Sequence, residues 1–338
     1  MGSKGKKSRV TLQDVADFAG VNRVTASVAL GRSPQGGTRV SEATRRRVVE
    51  AAHQLSYTPN ALARALHGKR THIIGYYSGY ETLNALHPFS AAVLNGLQRR
   101  CRQHQQDLLL FGSFERATDA DIYAALLNGK IDGLVMLPTP LSPMMDKLFA
   151  SPLPIVGIAN AHPSIPCVVV DDAAGSVMIA DYLAKQGHRR ILYRTHVERR
   201  TSSVRRLEAF CAAARDYDMS VVVTHIGDDH LLTDAEIGLL TGNRDQCPTA
   251  AVCWMDLCAY SLLAQCEGLG LSVPDDLAIV GFDGVDPAIK PARRLTTVAA
   301  PWVDVAIQAA DQLLALLQGD KVPPETVFPV ELQIGDTT

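Results

Sequence analysis

The sequence lacks any apolar run long enough to cross a membrane, and it has almost no net charge. Its 338 residues include 33 Lys and Arg against 35 Asp and Glu, a formal net charge of −2. No stretch approaches the roughly 18 apolar residues of a membrane span, and the basic start MGSKGKKSRV lacks the apolar core of a secretory signal. These absences argue against an integral membrane protein and predict a cytoplasmic one.

Paired cysteines and catalytic motifs are missing as well. The seven cysteines form no CxxC motif, which is typical of small buried hydrophobic residues in a reducing compartment. The motifs GxGxxG after a strand, GxxxxGK[ST], GxSxG and HExxH do not occur, and the ten histidines are scattered. We therefore predict no catalytic residue, no metal site and no cofactor.

Positive charge is concentrated at the N-terminus. Residues 1–70 hold 13 Lys and Arg against 4 Asp and Glu, a net charge of +9, which leaves −11 for the rest of the chain. A compact basic segment on an acidic body is expected when that segment alone meets a polyanion. This segment is therefore the candidate for contact with nucleic acid.

The basic segment has the pattern of three short helices. In VTLQDVADFAGVNRVTASVALG, residues 10–31, apolar residues recur at helical spacing, stop at Gly20 and recur again. Thr11, Asn22 and Ser41 are candidate N-caps, and Gly20 can end the first helix because glycine enters the left-handed region without strain. The pattern predicts a helix-turn-helix whose second helix fits a major groove, with a generic helical bundle as the alternative.

A further helix is predicted in YTPNALARALHGK, between Pro59 and Gly68. It is too short to persist alone in water, which favours folding on binding. We place a DNA-binding head at residues 1–58, the hinge helix and linker at 59–70, and an effector-binding and dimerisation domain at 71–338.

The remaining chain alternates short apolar runs with amphipathic helical stretches such as 89–104 and 173–186. Strands that alternate with helices require parallel sheets with right-handed crossovers, and this many strands predict two such sheets. The predicted strands are 72–77, 107–111, 133–137, 154–158, 167–170, 190–194, 220–224, 250–254 and 277–282.

Several of these segments resemble the LacI/GalR family of transcriptional regulators. TLQDVADFAGV and VSEATRRRVVEAAHQLSYTPNALARALHGK look like that family's DNA-binding head and hinge. The family's core motifs are matched in order by GHRRI (187–191), TAAVCWMD (249–256), GLSVPDDLAIVGFDGV (270–285) and LTTVAAP (295–301). The resemblance implies an all-α helix-turn-helix head with a hinge helix, followed by an α/β two-lobed, periplasmic-binding-protein-like body with two parallel sheets.

The family's lobes are built from discontinuous chain. By resemblance, the first lobe takes about 71–169 and 295–325, and the second takes about 170–294 and 326–338. The family also implies a homodimer that binds a pseudo-palindromic operator in double-stranded DNA. A small-molecule effector, a sugar or sugar derivative, would bind between the lobes.

The DNA-binding residues are carried over by the same resemblance. Arg23 suits a bidentate contact to guanine, whereas Val24 can touch only a thymine methyl. Leu66 would insert between base pairs, with Ala63 packed at the paired hinge. Val28 stands where the family usually has a polar residue that contacts a base. The loop 31–39 is also longer than is usual in the family. Both departures leave the operator sequence open. The full set is Thr11, Asn22, Arg23, Val24, Thr25, Ser27, Val28, Ser41, Thr44, Tyr57, Asn60, Ala63 and Leu66.

Effector residues are carried over residue by residue. Arg206 opposite Asp283 suits a polyol, because each hydroxyl both donates and accepts a hydrogen bond. The alternatives are a solvated helix face for Arg206, a turn for Asp283 and a core position for Trp254. Arg199 and Arg200 would favour an anionic ligand if they faced the cleft. The set is Ser78, Phe89, Arg206, Trp254, Met255 and Asp283.

The sequence therefore predicts a DNA-binding transcriptional regulator, a repressor whose ligand acts by favouring one arrangement of the lobes. The sign of the ligand effect stays open, and the absence of leucine heptads favours a dimer over a tetramer. A cytosolic solute-binding module, which would lack the basic head, is one alternative. A sugar-modifying enzyme is the other, but it would need a catalytic constellation that is missing.

Overall fold

The computed structural model describes residues 10–30, 40–57, 70–79, 87–112, 118–138, 143–198, 200–227, 229–285 and 293–338. The chain divides into two compact units, Met1–His72 and Ile73–Thr338, which we call the head and the body. None of the helices in these ranges is both long enough and apolar enough to span a bilayer.

The head contains three helices around a small core. They are α1 (Leu12–Phe18), α2 (Arg23–Ala29) and α3 (Glu42–Gln54). Small side chains allow close packing at their centre, which is formed by Val15, Ala16, Ala19, Ala26, Ala29, Val48 and Ala51. The predicted N-caps are confirmed, since Thr11, Asn22 and Ser41 each accept a hydrogen bond from a backbone N–H of the first turn.

The body contains two sheets, and all nine predicted strands are present. The first sheet has β1 (Ile73–Tyr77), β2 (Asp107–Phe111), β3 (Gly133–Met136), β4 (Ile155–Ile158), β5 (Cys167–Val170) and β11 (Glu325–Phe328). Its order is β11-β5-β4-β3-β1-β2, with every neighbouring pair parallel.

The second sheet repeats this plan. It has β6 (Arg190–His196), β7 (Ser220–Ile226), β8 (Ala250–Cys253), β9 (Ala278–Asp283), β10 (Thr296–Ala299) and β12 (Glu331–Gln333). Its order is β12-β10-β9-β8-β6-β7, and β12 is antiparallel to β10 while the other pairs are parallel.

Helices cover both sheets. They are α4 (Pro88–Gln103), α5 (Asp119–Leu126), α6 (Pro143–Phe149), α7 (Asp172–Lys185), α8 (Thr201–Asp216), α9 (Asp234–Thr241), α10 (Asp256–Gly268) and α11 (Trp302–Gln318). The first lobe comprises the first sheet with α4–α6 and α11, and the second comprises the second sheet with α7–α10.

One apolar cluster extends through both lobes. It is formed by α4 and α11 on the first sheet and by α7 and α8 on the second, while separate outer clusters lie under α5 and α6 and under α10. Phe282 and Leu313 are fully buried in the shared cluster. Each such side chain contributes about 1.5–3 kcal/mol relative to leaving it exposed.

The chain passes between the lobes after β5, after β10 and after β11. Two of the predicted lobe boundaries, those near residues 295 and 326, differ from these crossings. The segment Leu295–Pro301 was expected to open the return to the first lobe, but its strand Thr296–Ala299 pairs with β9 and β12 in the second sheet. The return follows Ala299. Residues 326–328 were expected in the second lobe, but they belong to β11, which pairs with β5 in the first sheet.

Candidate functional site

The turn between α1 and α2 is fixed by local hydrogen bonds. Thr11 and Asp14 form a capping box, in which the Thr11 side chain accepts from the Asp14 N–H and the Asp14 carboxylate accepts from the Thr11 N–H. Gly20 follows with φ +62°, the left-handed conformation predicted for it. Asn22 then caps α2 through its side-chain oxygen, which accepts from the Thr25 N–H at 2.7 Å. These contacts hold α2 at a set angle to α1.

The outer face of α2 carries the predicted base-reading residues. Ala26 and Ala29 are buried in the core of the head, so the opposite face is exposed. Arg23 is exposed, and Val24 has 64% of its surface accessible, an unusual position for a valine on a short helix. Thr25, Ser27 and Val28 are half-buried at its flanks. The face therefore presents a cation and an apolar group side by side.

The third helix presents positive charge. Arg46 and Arg47 are exposed on α3, and Arg46 lies 3.5 Å from the Glu42 carboxylate. Arg45 reaches back to donate to the Ala29 carbonyl oxygen at 3.3 Å, which satisfies one of the free carbonyls at the end of α2. The first turn of α3 is held by Ser41 and Thr44, whose side-chain oxygens are 2.9 Å apart.

The remaining predicted DNA contacts fall into two groups. Tyr57 packs against the core of the head, next to the end of α3. Asn60, Ala63 and Leu66 lie outside the described residues, so their roles in the hinge stay predictions.

The centre of the body site is the guanidinium of Arg206. It is fully buried, and its Nε donates to Asp172 Oδ1 at 2.7 Å. Nη1 donates to the Trp254 carbonyl oxygen at 2.7 Å and lies 3.4 Å from Asp283 Oδ1. The Phe282 ring lies beneath the group, 3.6 Å from its central carbon. We call these five residues the Arg206 cluster.

Three members of the cluster lie at the carboxyl end of a strand, whereas Arg206 lies on α8. Asp172 begins α7 two residues after β5 ends, Trp254 follows β8, and Asp283 ends β9. Carboxyl ends of parallel strands are where open α/β sheets bind ligands. Asp283 has φ +124°, which is strained for a residue with a side chain and is a common mark of a functional position.

A third buried carboxyl group, Asp256, supports the cluster. Asp256 accepts from the Thr297 hydroxyl at 2.5 Å and from the Val285 N–H at 3.0 Å. Gly281 makes room for it, because a Cβ there would collide with the Asp256 carboxylate. Asp256 thereby fixes the turn that follows Asp283.

Burial dominates the electrostatics of the three carboxyl groups. It raises the pKa of Asp283 to about 8 and the pKa of Asp256 to about 6, and Arg206 offsets part of each increase. Burial likewise raises the pKa of Asp172, again opposed by Arg206. Three carboxyl groups thus share one guanidinium, so the site is poor in positive charge.

These shifts predict that Asp283 and Asp256 each contribute a loss of stability as pH rises. This contribution is opposite in sign to that of His162 and His188, whose pKa values burial lowers. Because the pKa of folded Asp283 lies above its unfolded value, the folded state binds more protons between pH of about 4 and about 8. Stability in that window falls with pH by at most about 1.4 kcal/mol per unit for each such group. Urea unfolding across this range should show the slope, and Asp283→Asn should reduce it, whereas Asp245→Asn at an exposed position should not. An equal slope in Asp283→Asn would contradict the assignment.

Two polar atoms in the cluster have no hydrogen-bond partner among the described residues. They are Asp172 Oδ2, an acceptor, and Trp254 Nε1, a donor, and both are buried. A buried polar atom without a partner costs free energy, and such atoms need an explanation. A hydroxylated ligand offers both a donor and an acceptor and could engage both atoms.

The structure brings together three of the predicted effector residues, Arg206, Trp254 and Asp283. Arg206 does not lie on a solvated face. The ring of Trp254 packs in the outer cluster of the second lobe, 5.8 Å from the ring of His196, as the core alternative expects, and its carbonyl oxygen accepts from Arg206. The predicted charge at Arg200 is already paired with Glu198 at 3.4 Å, and Arg199 lies outside the described residues.

The other three predicted residues lie elsewhere in the body. Ser78 follows β1, and Phe89 packs edge-on against Trp302 with ring centroids 4.8 Å apart. Met255 begins α10 and packs in the outer cluster of the second lobe. Asp172 and Asp256 were missed, although Asp172 lies two residues after a predicted strand, where a polar residue signals the ligand edge of a sheet.

Comparison with known proteins agrees with this architecture. The family model of bacterial regulatory proteins, lacI family, matches residues 11–60, and a periplasmic binding protein-like domain matches residues 180–338. The transcriptional regulator DegA of Bacillus subtilis is 26% identical, covering 98% of each chain. PtxS of Pseudomonas aeruginosa is 28% identical over 98% of this chain and 96% of its own.

Solved structures share the fold. A lac repressor dimer bound to operator and an anti-inducer superposes with a TM-score of 0.81 at 22% identity, covering 98% of this chain and 99% of that one. A complex of the regulator CelR with cellobiose has a TM-score of 0.68 at 23% identity and covers 98% and 100%.

A helix-turn-helix head and a two-lobed body are thus matched in order by their own family models, and whole regulators match along nearly the full chain. The chain belongs to the lacI family of bacterial regulatory proteins and is a DNA-binding transcriptional regulator, not an enzyme.

Proposed function

We propose that the protein is a homodimeric repressor in the cytoplasm that binds a pseudo-palindromic operator and responds to a neutral polyhydroxylated ligand, a sugar or sugar derivative, between its lobes. The observation that carries the ligand proposal is the Arg206 cluster. It combines a buried five-donor fork, carboxylate acceptors and two buried polar atoms without partners.

The charge of the cluster argues against an anionic ligand. Arg206 is already paired with Asp172 at 2.7 Å and lies beside Asp283, so a sugar acid or phosphate would meet no unpaired buried cation in the cluster. Hydroxyl groups can donate to those carboxylates and accept from the guanidinium without adding charge. The CelR structure, which contains cellobiose, supports a sugar as the ligand class.

On the DNA side, α2 is the proposed reading helix. Arg23 would donate to guanine O6 and N7, and Val24 would contact a thymine methyl, as the exposure of both side chains allows. Thr11, Ser41, Thr44 and Tyr57 would contact phosphates, and Thr11 and Ser41 also cap their helices. The hinge would insert Leu66 into the minor groove. The lac repressor dimer bound to operator supports this arrangement.

Selection from a random duplex library with the full-length protein tests the DNA proposal. A regulator should enrich one palindromic sequence, and log K for it should fall steeply with log salt because phosphate contacts release counterions. A solute-binding module would enrich none.

Two variants separate the proposed base reader from the proposed wedge. Arg23→Ala should cost roughly 1–3 kcal/mol on the selected operator and relax the preference at one base pair of each half-site. Leu66→Ala should weaken the selected operator while sparing random DNA, because only specific binding includes the kink. Arg215→Ala removes the same charge from an exposed position of the body and should change neither. Equal losses on operator and random DNA would reject the wedge.

Ligand classes can be compared through the intrinsic fluorescence of the protein. The chain has two tryptophans, Trp254 in the cluster and Trp302. Trp302→Phe leaves Trp254 as the reporter and removes no hydrogen bond, because Trp302 Nε1 has no partner within the described ranges. Neutral sugars should change the signal at lower concentration than the matching sugar acids or phosphates. The reverse order would overturn the proposed ligand class.

A further inference from the structure

The first turn of α8 joins the two lobes. The Thr201 hydroxyl donates to the Ala161 carbonyl oxygen at 3.0 Å, and the Ser202 hydroxyl donates to Asn160 Oδ1 at 2.8 Å. Thr201 and Ser202 belong to the second lobe, whereas Asn160 and Ala161 follow β4 in the first. Asn160 and Ser202 are both buried, so this contact is part of the interior.

An ion pair extends the contact one turn further along α8. Arg205 Nη1 and Nη2 donate to Glu325 Oε1 and Oε2 at 3.0 and 3.1 Å, a bidentate arrangement that fixes orientation as well as distance. Glu325 begins β11 in the first lobe. Ser202 and Arg205 are three positions apart in α8, and this spacing places both side chains on the same side of the helix. We call Asn160, Ser202, Arg205 and Glu325 the clasp.

The first-lobe side of the clasp is held in an unusual backbone conformation. Ala159 has φ +66°, the left-handed region that a residue with a Cβ enters at a cost. The Asn160 N–H donates to the Ile158 carbonyl oxygen at 2.7 Å, which closes this bend. The bend places the Asn160 amide oxygen against α8.

The clasp and the ligand site share one helix. Arg206 directly follows Arg205 and faces Asp172 and Asp283, while Arg205 faces the first lobe. A rotation of the first lobe against the second would separate α8 from Glu325 and Asn160. These contacts therefore oppose such a rotation.

We propose that Asn160, Arg205 and Glu325 are positioning residues of the ligand site: they clasp α8 to the first lobe and so set how far the cleft opens around Arg206. The inference rests on the proposed function for the identity of the cleft. The clasp itself can be measured without ligand or DNA.

The Ser202 amide is a direct reporter of the clasp. It lies in the first turn of α8, where backbone N–H groups have no partner in the helix, and it donates to Asn160 Oδ1 at 3.3 Å. Its protection from hydrogen exchange therefore comes from the opposite lobe. Arg205→Glu or Glu325→Arg in the full-length protein should speed exchange at Ser202 about tenfold, because each places like charges together. The double variant Arg205→Glu/Glu325→Arg should restore the wild-type rate.

The matched control is the ion pair between Arg100 and Asp311, 2.6 Å apart. Its exposure is similar, but it joins α4 to α11 within the first lobe. Arg100→Glu should leave Ser202 exchange unchanged. Acrylamide quenching of Trp254 in the Trp302→Phe background gives a second readout, which should rise in the single clasp variants and return in the double.

Thermal unfolding checks that each variant is folded. If the charge variants do not fold, Asn160→Ala replaces them, because it removes only the side-chain oxygen that accepts from Ser202 and should also speed exchange there. Wild-type exchange at Ser202 in the folded single variants would overturn the proposal. So would equal acceleration of every amide in the second lobe, or a double variant that is not restored. A failed operator selection would count against the proposed function and not against the clasp.

Discussion

Replacing Arg206 with Met is expected to lower the free energy of unfolding of the body by about 3–5 kcal/mol and to abolish the response to ligand. Both effects have one cause, because the guanidinium is the buried counter-charge of Asp172 and Asp283 and the main donor of the cluster. Urea unfolding measures the first effect, and Trp254 fluorescence with a neutral sugar that binds the wild type measures the second. Binding of random DNA, which depends on the head, should persist.

Two further variants separate charge from shape at this position. Arg206→Lys keeps the charge but lacks the planar fork, so it should retain part of the stability and lose most of the ligand response. Adding Asp172→Asn to Arg206→Met should recover stability, because it removes the carboxylate that Arg206 pairs at 2.7 Å, but it should not recover the response. An Arg206→Met protein that still binds sugar with wild-type affinity would show that the ligand site lies elsewhere.

Replacing Glu236 with Ala is expected to destabilise the second lobe by about 3–5 kcal/mol, although Glu236 is not in the proposed ligand site. Arg194 and Glu236 both have fully buried side chains, and the Arg194 Nε donates to Glu236 Oε1 at 2.8 Å. Glu236 also accepts from the Thr224 hydroxyl at 2.6 Å and from the Thr233 N–H at 2.9 Å. Removing it would leave a buried cation without its counter-charge.

The comparison for Glu236→Ala is the exposed pair of Lys185 and Asp181. Asp181→Asn should leave the free energy of unfolding almost unchanged, since water screens such pairs. Arg194→Met/Glu236→Leu removes both buried charges and should be far more stable than Glu236→Ala. If Glu236→Ala unfolds at the wild-type urea concentration, the buried pair contributes nothing and our reasoning on it fails.

Much of the fold could be predicted because its local signals agree. Each of the nine apolar runs became a strand, and Thr11, Asn22 and Ser41 became caps, since both outcomes depend on residues a few positions apart. The lobe of Thr296–Ala299 could not be predicted in this way. Its partners, β9 and β12, are chosen by tertiary packing, to which a short apolar strand gives no clue.

The site shows the same division. Resemblance found Arg206 and Asp283, which do meet, but it could not show that Asp172 is the shorter contact or that three carboxyl groups surround one arginine. Those facts depend on how α7, α8 and the ends of β8 and β9 pack together within the second lobe. Burial at Arg206 likewise follows from packing on Phe282 and not from its neighbours in the sequence.

The placement of β11 and β12 bears on how the chain folds as it is synthesised. Each sheet takes one edge strand from residues 325–333, and α11, which covers the first sheet, immediately precedes them. Neither sheet can therefore be completed before residues 325–333 have been synthesised. Pairings as distant as Glu325 with Cys167 form slowly, and until they do an unpaired strand edge is open to aggregation. Truncating the body to one lobe should consequently yield an insoluble fragment.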